Sequence, residues 1–239
     1  GMSLLTAFYW HPESTVIYRK RRKTFAALCV KVHQDVRETR MVNDQPTVRK
    51  KIALQQVLLH DSSVFSIQWM VLPQSYLGKL SPFELLDRYL HFIRICTLAL
   101  IRPFRTASTV EFRLLNTKIS LISFTGPSFH ATENSEYVTL SICGGLLVQA
   151  DNCQRGELSF ILKPLRNGLK VILQLSDFCP MLLGSSSPSR VRKILYRATQ
   201  AYIHKIVTVK FLARLYLDLE GMTPRIKVVR VRVRHGEET

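Results

Sequence analysis

The sequence lacks the short motifs by which most nucleotide-binding, hydrolytic and metal-dependent proteins are recognised. Neither G-x-G-x-x-G nor G-x-x-x-x-G-K-[ST] occurs, which excludes the commonest phosphate-binding loops. G-x-S-x-G, the usual nucleophile motif of α/β-hydrolases, is also absent. The seven histidines form no H-x-x-x-H pair, so nothing predicts a zinc or iron site. We therefore expect no metal and no cofactor, and we assign no catalytic residue.

Cysteines and long uncharged apolar runs are also scarce. The five cysteines are odd in number and widely spaced, which indicates reduced thiols rather than a disulfide framework. A single nucleophilic cysteine is the alternative, although no cysteine has an evident partner in the sequence. The most apolar window, Phe83 to Ile101, is interrupted by Arg88, His91 and Arg94 and is interpreted as a buried helix. Because no signal peptide is recognised, we expect a cytoplasmic protein, with the inner face of the membrane as an alternative location.

Acidic residues are few, and this sets the kind of partner the chain attracts. The sequence has 17 Asp and Glu against 34 Lys and Arg, a formal net charge of +17. The excess lies in two flanks, residues 19–51 and residues 188–239, while residues 52–187 are nearly balanced. Such a field attracts nucleic acid, anionic lipid headgroups or acidic proteins.

The densest positive charge is a tract of five consecutive cations. A solvated loop is one interpretation of this tract, and an anionic partner is the other. The neighbouring aromatic and aliphatic run Leu4 to Trp10 favours an anionic membrane surface, because an apolar patch beside a polybasic cluster holds peripheral proteins on bilayers. Nucleic acid is the competing partner, although no sequence-reading motif supports it. The tract consists of Arg19, Lys20, Arg21, Arg22 and Lys23.

A helix start is marked in the first half of the chain. Ser81 is placed as the N-cap, Pro82 at the first helical position, and Glu84 completes a capping box. Apolar residues then recur at helical spacing, and Pro103 is expected to end the helix.

The middle of the chain alternates apolar and polar residues, which predicts strands. The pattern runs from Ser108 to Leu175 and is typical of an antiparallel meander. Asn167-Gly168 is a two-residue hairpin signal, and Gly144-Gly145 predicts a bulge or a sharp bend. Residues 47–59 are ambiguous between helix and strand. Further strands are predicted at Leu28 to Val32, at Val64 to Leu72 and, as a sheet edge, at Val229 to Val233.

A long amphipathic helix is predicted near the carboxyl end, from Pro188 or Ser189 to about Glu220, with Gly221 as its left-handed stop. We therefore predict an α+β fold in which an antiparallel β-meander is covered by a long C-terminal helix, with additional N-terminal strands. We expect a single domain over residues 1–239, with residues 1–80 able to form a subdomain. The apolar stripe of the helix comprises Val191, Ile194, Leu195, Ala198, Tyr202, Ile206, Val209, Leu212, Ala213 and Tyr216.

This order of a helix, a meander and a long closing helix resembles the helix-grip arrangement of the START and Bet v 1-like superfamily. Two features depart from that pattern: a basic strand follows the long helix, and about 80 residues precede Ser81. The resemblance implies a cavity between the sheet and the closing helix that holds an apolar ligand, often without chemistry. The residues that carry the resemblance are Phe178, Pro180, Leu183, Gly184, Leu195, Tyr196, Gln200, Ala201 and His204.

The layout and the resemblance together imply a function. We expect the protein to bind a hydrophobic or amphipathic small molecule between the sheet and the long helix, without evident catalysis. Tyr202 is of interest because a buried phenol needs a hydrogen-bond partner, which a ligand supplies. The residues expected to line the pocket are Leu140, Ile142, Phe160, Leu162, Leu173 and Tyr202.

Two other function classes stay open from the sequence. The alternative is a protein that binds nucleic acid or an anionic membrane surface through its basic flanks. A small enzyme is the third class, with His130 as an acid or base in the pocket, oriented by Glu133 or Glu136 across a hairpin tip.

Overall fold

The structure is a computed structural model that describes residues 48–61, 63–149, 155–181, 202–234 and 237–238. The chain divides into two compact units, Gly1–Gln45 and Pro46–Thr239, and every described residue belongs to the second. The cationic tract at residues 19–23, the strand predicted at residues 28–32 and the predicted helix before residue 202 lie outside the described residues.

Ten strands of the described chain form one sheet, which confirms the predicted α+β class. Their order is β10-β1-β2-β9-β8-β7-β5-β4-β3, and β6 pairs with β7 beside this path. Neighbouring strands are antiparallel except β1 and β10, which are parallel. The strands are β1 Arg49–Leu58, β2 Val64–Leu72, β3 Ile101–Arg105, β4 Thr109–Leu114, β5 Ser120–Thr125, β6 Ser128–Thr132, β7 Ser135–Gly144, β8 Glu157–Leu165, β9 Gly168–Phe178 and β10 Arg225–Arg230. A separate two-stranded ladder is formed by β11 Val233–Arg234 and β12 Glu237–Glu238.

Helix α1, Pro82–Cys96, begins as predicted. The Ser81 hydroxyl accepts a hydrogen bond from the Glu84 backbone N–H at 3.1 Å, which satisfies one of the free amides at a helix start. The helix was predicted to continue until Pro103, but it ends at Cys96, so the predicted end was wrong. Leu98 and Ala99 adopt left-handed backbone conformations that turn the chain out of the helix. Pro103 then lies in β3 at the sheet edge, where a missing N–H is tolerated.

Helix α2, Tyr202–Glu220, ends at Gly221, whose left-handed φ of 70° is the predicted stop. Its buried side differs from the predicted stripe. Leu212 and Tyr216 are buried as expected, whereas Val209 is only half-buried. The buried side includes Phe211, which the predicted stripe did not, because the Phe211 ring packs against the aromatic side chains of α1. The buried side consists of Thr208, Phe211, Leu212, Leu215 and Tyr216.

The two faces of the sheet differ in what covers them. The inner face packs against α1 and α2 in one large apolar cluster. The opposite, outer face carries a smaller cluster around Trp69, over whose ring the Lys170 ammonium lies at 4.3 Å. Paired residues on neighbouring strands lie on the same face of a sheet. Lys163 pairs with Lys170 and Lys227 pairs with Lys51, and both partners lie on the outer face, so Lys163 and Lys227 lie there too.

A bulge or a sharp bend was predicted at Gly144-Gly145, and the pairing register of β7 with β5 shifts there, as at a bulge. Gly145 has a φ of 118°, and a Cβ there would lie 2.5 Å from the Leu121 carbonyl oxygen. Only glycine fits at this position, because the backbone of β5 approaches so closely.

Candidate ligand-binding site on the inner face of the sheet

The apolar side chains expected to line a pocket lie together on the inner face. Cross-strand pairing places Phe160 of β8 opposite Leu173 of β9. The other buried residues of the predicted pocket lie on β7 and β8, close to this pair. Tyr202 is the first residue of α2, and its side chain lies outside the described residues. That these residues contact a ligand stays a prediction. The buried members of the set are Leu140, Ile142, Phe160, Leu162 and Leu173.

Aromatic rings fill part of the space above this face. The Tyr89 ring of α1 lies edge-on to the Phe160 ring, with 5.2 Å between centroids, and its centroid is 5.1 Å from that of Phe211 of α2. Helix α1 therefore covers β7 and β8, whereas α2 contacts β2. The sequence did not indicate this division of the two helices between the strands.

Buried polar side chains lie on the elements that α2 brings together. Gln68 of β2 pairs in register with Leu173 of β9, which places its side chain on the inner face. Its amide Nε2 donates a 3.0 Å hydrogen bond to the Ser66 hydroxyl. The Gln68 Oε1 and Thr208 Oγ1 atoms are buried and have no hydrogen-bond partner among the described residues. Leaving such an atom unpaired costs about 1–3 kcal/mol, so buried polar atoms in folded proteins are nearly always paired with protein, water or a ligand.

Tyr89 adds a third polar group at this place. Burial raises the pKa of its phenol well above the ordinary value, and the neighbouring Thr208 hydroxyl partly offsets that rise. The two hydroxyl groups are close, but the Thr208 oxygen does not reach hydrogen-bonding geometry. The site therefore offers neutral donors and acceptors within apolar surroundings. The only sequence signal for it was the pair Ser66 and Gln68, two polar residues spaced by two in an otherwise apolar strand.

His130 does not belong to this site, contrary to the third hypothesis. It lies exposed on β6, and its ring stacks on Tyr137 of β7 with 5.0 Å between centroids. Because the adjacent Val138 is buried on the inner face, strand alternation directs Tyr137 and His130 to the outer one.

Two cysteines of the described chain have hindered ionisation. Burial raises the pKa of Cys96 to about 11, and burial also raises the pKa of Cys179. Both thiols therefore stay protonated at neutral pH, which opposes a nucleophilic role for them. In the part of the chain that the structure describes, no three His, Cys, Asp or Glu side chains form a metal-binding group. Neither described helix has the length and apolarity needed to cross a bilayer.

Comparisons with known proteins give distant structural similarities. No family model and no curated protein matches the chain. The crystal structure of human STARD10 is similar at 10% identity and a TM-score of 0.32, over 78% of this chain and 84% of that one. CalU16 from Micromonospora echinospora is similar at 12% identity and a TM-score of 0.25, over 66% of this chain and 98% of that one. At these TM-scores, nothing about this chain's ligand follows from the similarities.

Proposed function

We propose that the protein binds a hydrophobic or amphipathic small molecule on the inner face of its sheet, beneath α2, without covalent chemistry. The observation that carries this proposal is the pair of buried polar atoms, Gln68 Oε1 and Thr208 Oγ1, that have no partner among the described residues. A ligand that brings polar groups into these apolar surroundings would supply the partners that such atoms need.

The apolar walls indicate where the affinity would come from. Removing apolar surface from water contributes roughly 25 cal/mol for each Å² buried, so an aliphatic or ring-containing body would supply most of the binding energy. The few polar groups would set the orientation of the ligand rather than its affinity.

The chemistry of the polar groups narrows the ligand class. Ser66, Gln68 and Thr208 are uncharged at neutral pH, and Tyr89 stays protonated because burial raises its pKa. A buried anion needs a cationic partner to offset its loss of hydration. Gln68 Oε1 accepts hydrogen bonds only, so the ligand must supply a donor. We therefore propose a ligand whose buried polar group is neutral and carries an O–H or N–H, such as an alcohol or an amide.

The first test is to remove the unpaired hydroxyl. Thr208→Val keeps the side-chain shape and deletes an unpartnered buried oxygen, so the ligand-free protein should become more stable by about 1 kcal/mol or more. Affinity for a bound neutral amphiphile should fall about tenfold, which corresponds to about 1.4 kcal/mol. Native mass spectrometry of the delipidated chain with hexadecanol, and with hexadecanoate as the charged counterpart, measures both preference and affinity.

Thr139→Val is the matched control. Thr139 is also buried, but its hydroxyl lies 3.0 Å from the Ser159 hydroxyl within hydrogen-bonding reach, so removing it should destabilise the protein by about 1 kcal/mol and leave ligand affinity unchanged. Failure of the delipidated chain to bind either probe, or equal affinity in the parent and in Thr208→Val, would contradict the proposal.

A further inference from the structure

Three loops meet at one end of the sheet and are joined by backbone hydrogen bonds. We call this surface the loop end; it comprises residues 97–100, 115–119 and 145–148. The Leu115 N–H donates to the Leu100 carbonyl at 2.8 Å, and the Leu146 N–H donates to the Ser120 carbonyl at 2.9 Å. The loops therefore form one continuous surface.

Each of these loops exposes a large aliphatic side chain to solvent. Leu98 is 71% exposed, Leu146 52%, Leu115 47% and Ile119 46%. Leu98 and Leu115 also hold left-handed backbone conformations, which bulky residues rarely adopt. Single exposed leucines are ordinary, but several on adjoining loops are typical of a surface that meets an apolar partner.

Arginines lie directly beside these aliphatic side chains. Arg94, Arg102 and Arg113 line one pocket of about 270 Å³ together with Phe104 and Leu115. The Arg113 guanidinium lies over the Phe104 ring at 3.9 Å. The Arg102 Nε donates to the Ala99 carbonyl at 3.2 Å. These contacts hold the Arg102 and Arg113 guanidinium groups in place, and guanidinium groups match the geometry of phosphate oxygens.

Four cations belong to the loop end or to the pocket beside it: Arg94, Arg102, Arg113 and Lys118. Glu111, which pairs with Arg113 at 2.7 Å, is the one acid in residues 94–119, and residues 145–148 contain none. The positive charge thus accompanies the exposed aliphatic groups, although residues 52–187 as a whole are nearly balanced. The field at this end favours an anionic partner.

We propose that the loop end docks on an anionic phospholipid bilayer, with the leucines entering the acyl boundary and the arginines contacting lipid phosphates. A bilayer presents apolar and anionic layers at adjacent depths, which matches aliphatic tips beside cations. Single-stranded nucleic acid would instead require stacked aromatic platforms, whereas the four exposed tips are aliphatic and the Phe104 ring beside them is covered by the Arg113 guanidinium. The loop end consists of other residues than the tract at residues 19–23, and the inference does not depend on the proposed interior ligand.

Vesicle cosedimentation of the full chain tests this surface. The probe is phosphatidylcholine vesicles with and without about one third phosphatidylserine, and the parent should bind the anionic vesicles selectively. Each cation near such a surface contributes roughly fivefold in partitioning, so Arg94→Gln with Lys118→Gln should weaken binding about 30-fold. Leu98→Gln with Leu146→Gln should weaken binding by about tenfold or more. All four positions are exposed, and unchanged melting temperatures would verify that the variants fold.

Two control variants separate this surface from the rest of the chain's charge. Lys163→Gln with Lys227→Gln removes the same charge from the outer sheet face and should change vesicle binding by less than about twofold. Arg21→Glu with Arg22→Glu alters the cationic tract and should leave the effect of the loop-end variants intact. Parental binding by both loop-end variants would overturn the proposal, and so would a failure of the parent to bind anionic vesicles.

Discussion

The interior beneath α2 and the loop end depart from the usual distribution of side chains in opposite ways. In the interior, polar atoms of Gln68 and Thr208 are buried among apolar groups without partners in the described chain. At the loop end, aliphatic groups such as Leu98 are exposed among arginines. A buried polar atom and an exposed apolar patch are the two informative exceptions to the rule of apolar residues inside.

The comparison shows that each region has an unsatisfied requirement of a different kind. The interior requires a hydrogen-bonding partner, and the loop end requires apolar cover together with negative charge. Substitutions in the two regions should therefore change different measured quantities. An interior substitution should alter folding stability, whereas a loop-end substitution should alter association and leave folding nearly unchanged.

The largest expected effect is at Phe160, the centre of the interior. Phe160→Ala removes a fully buried ring that packs against Tyr89, and should lower the free energy of unfolding by about 3–5 kcal/mol. Leu98→Ala at the loop end should change it by no more than about 0.5 kcal/mol. Urea denaturation measures both. Similar losses in the two variants would remove the distinction between the regions.

A second test uses the alkaline pH range. Burial raises the pKa of Tyr89 above that of an unfolded chain, so the folded state keeps its proton more tightly. Its contribution to stability is full below about pH 10, the ordinary value, and is lost as pH rises towards the raised folded pKa. The slope approaches 1.4 kcal/mol per pH unit for one such group. Tyr89→Phe should lower the slope measured by urea denaturation above pH 10, and an unchanged slope would show that water reaches the phenol.

The smallest effect is expected at an exposed ion pair. The Arg155 guanidinium holds the pKa of Asp61 at about 2, and hydrogen bonds from Ser63 contribute. The carboxylate therefore stabilises the fold above about pH 4, and this contribution is lost as pH falls from about 4 to 2. Because both side chains are nearly half-exposed, solvent reduces the effect to less than about 1 kcal/mol.

Asp61→Asn tests this pair by acid unfolding, and should remove the corresponding part of the pH dependence. The difference from the parent should shrink in 1 M salt, because screening weakens exposed pairs. A difference as large as that of Phe160→Ala would contradict the assignment of the pair to the surface.

The sequence predicted those features that depend on local chemistry. The Ser81 cap and the Gly221 stop follow from backbone preferences, and both are present. A two-residue hairpin joins β8 to β9 near the predicted place, but its turn residues are Arg166 and Asn167, because Gly168 already pairs with Leu165. Alternation identified the central strands because one face of each is buried. Residues 47–59 were ambiguous, yet most of them form β1, since pairing with both β2 and β10 decides the outcome there.

The parts that depend on long-range packing could not be predicted. Periodicity alone does not tell which helix covers which strand, so the contact of Tyr89 with Phe160 was missed. That Gln68 Oε1 and Thr208 Oγ1 have no partner among the described residues depends on how distant elements pack, and no pattern along the chain predicts it. The sequence analysis did not predict the loop end either. Leu98, Leu115 and Leu146 become neighbours only through backbone hydrogen bonds between distant segments.

The parallel pairing of β10 with β1 has a consequence for the order in which the strands pair during folding. These strands are separated by the rest of the sheet in sequence, so their contact closes a very long loop and is expected to form late. Until then β1 presents a row of unpaired amides and carbonyls, which is a template for strand exchange between molecules. A chain cut after Gly221 should therefore oligomerise through β1 even though both helices and their buried contacts are retained.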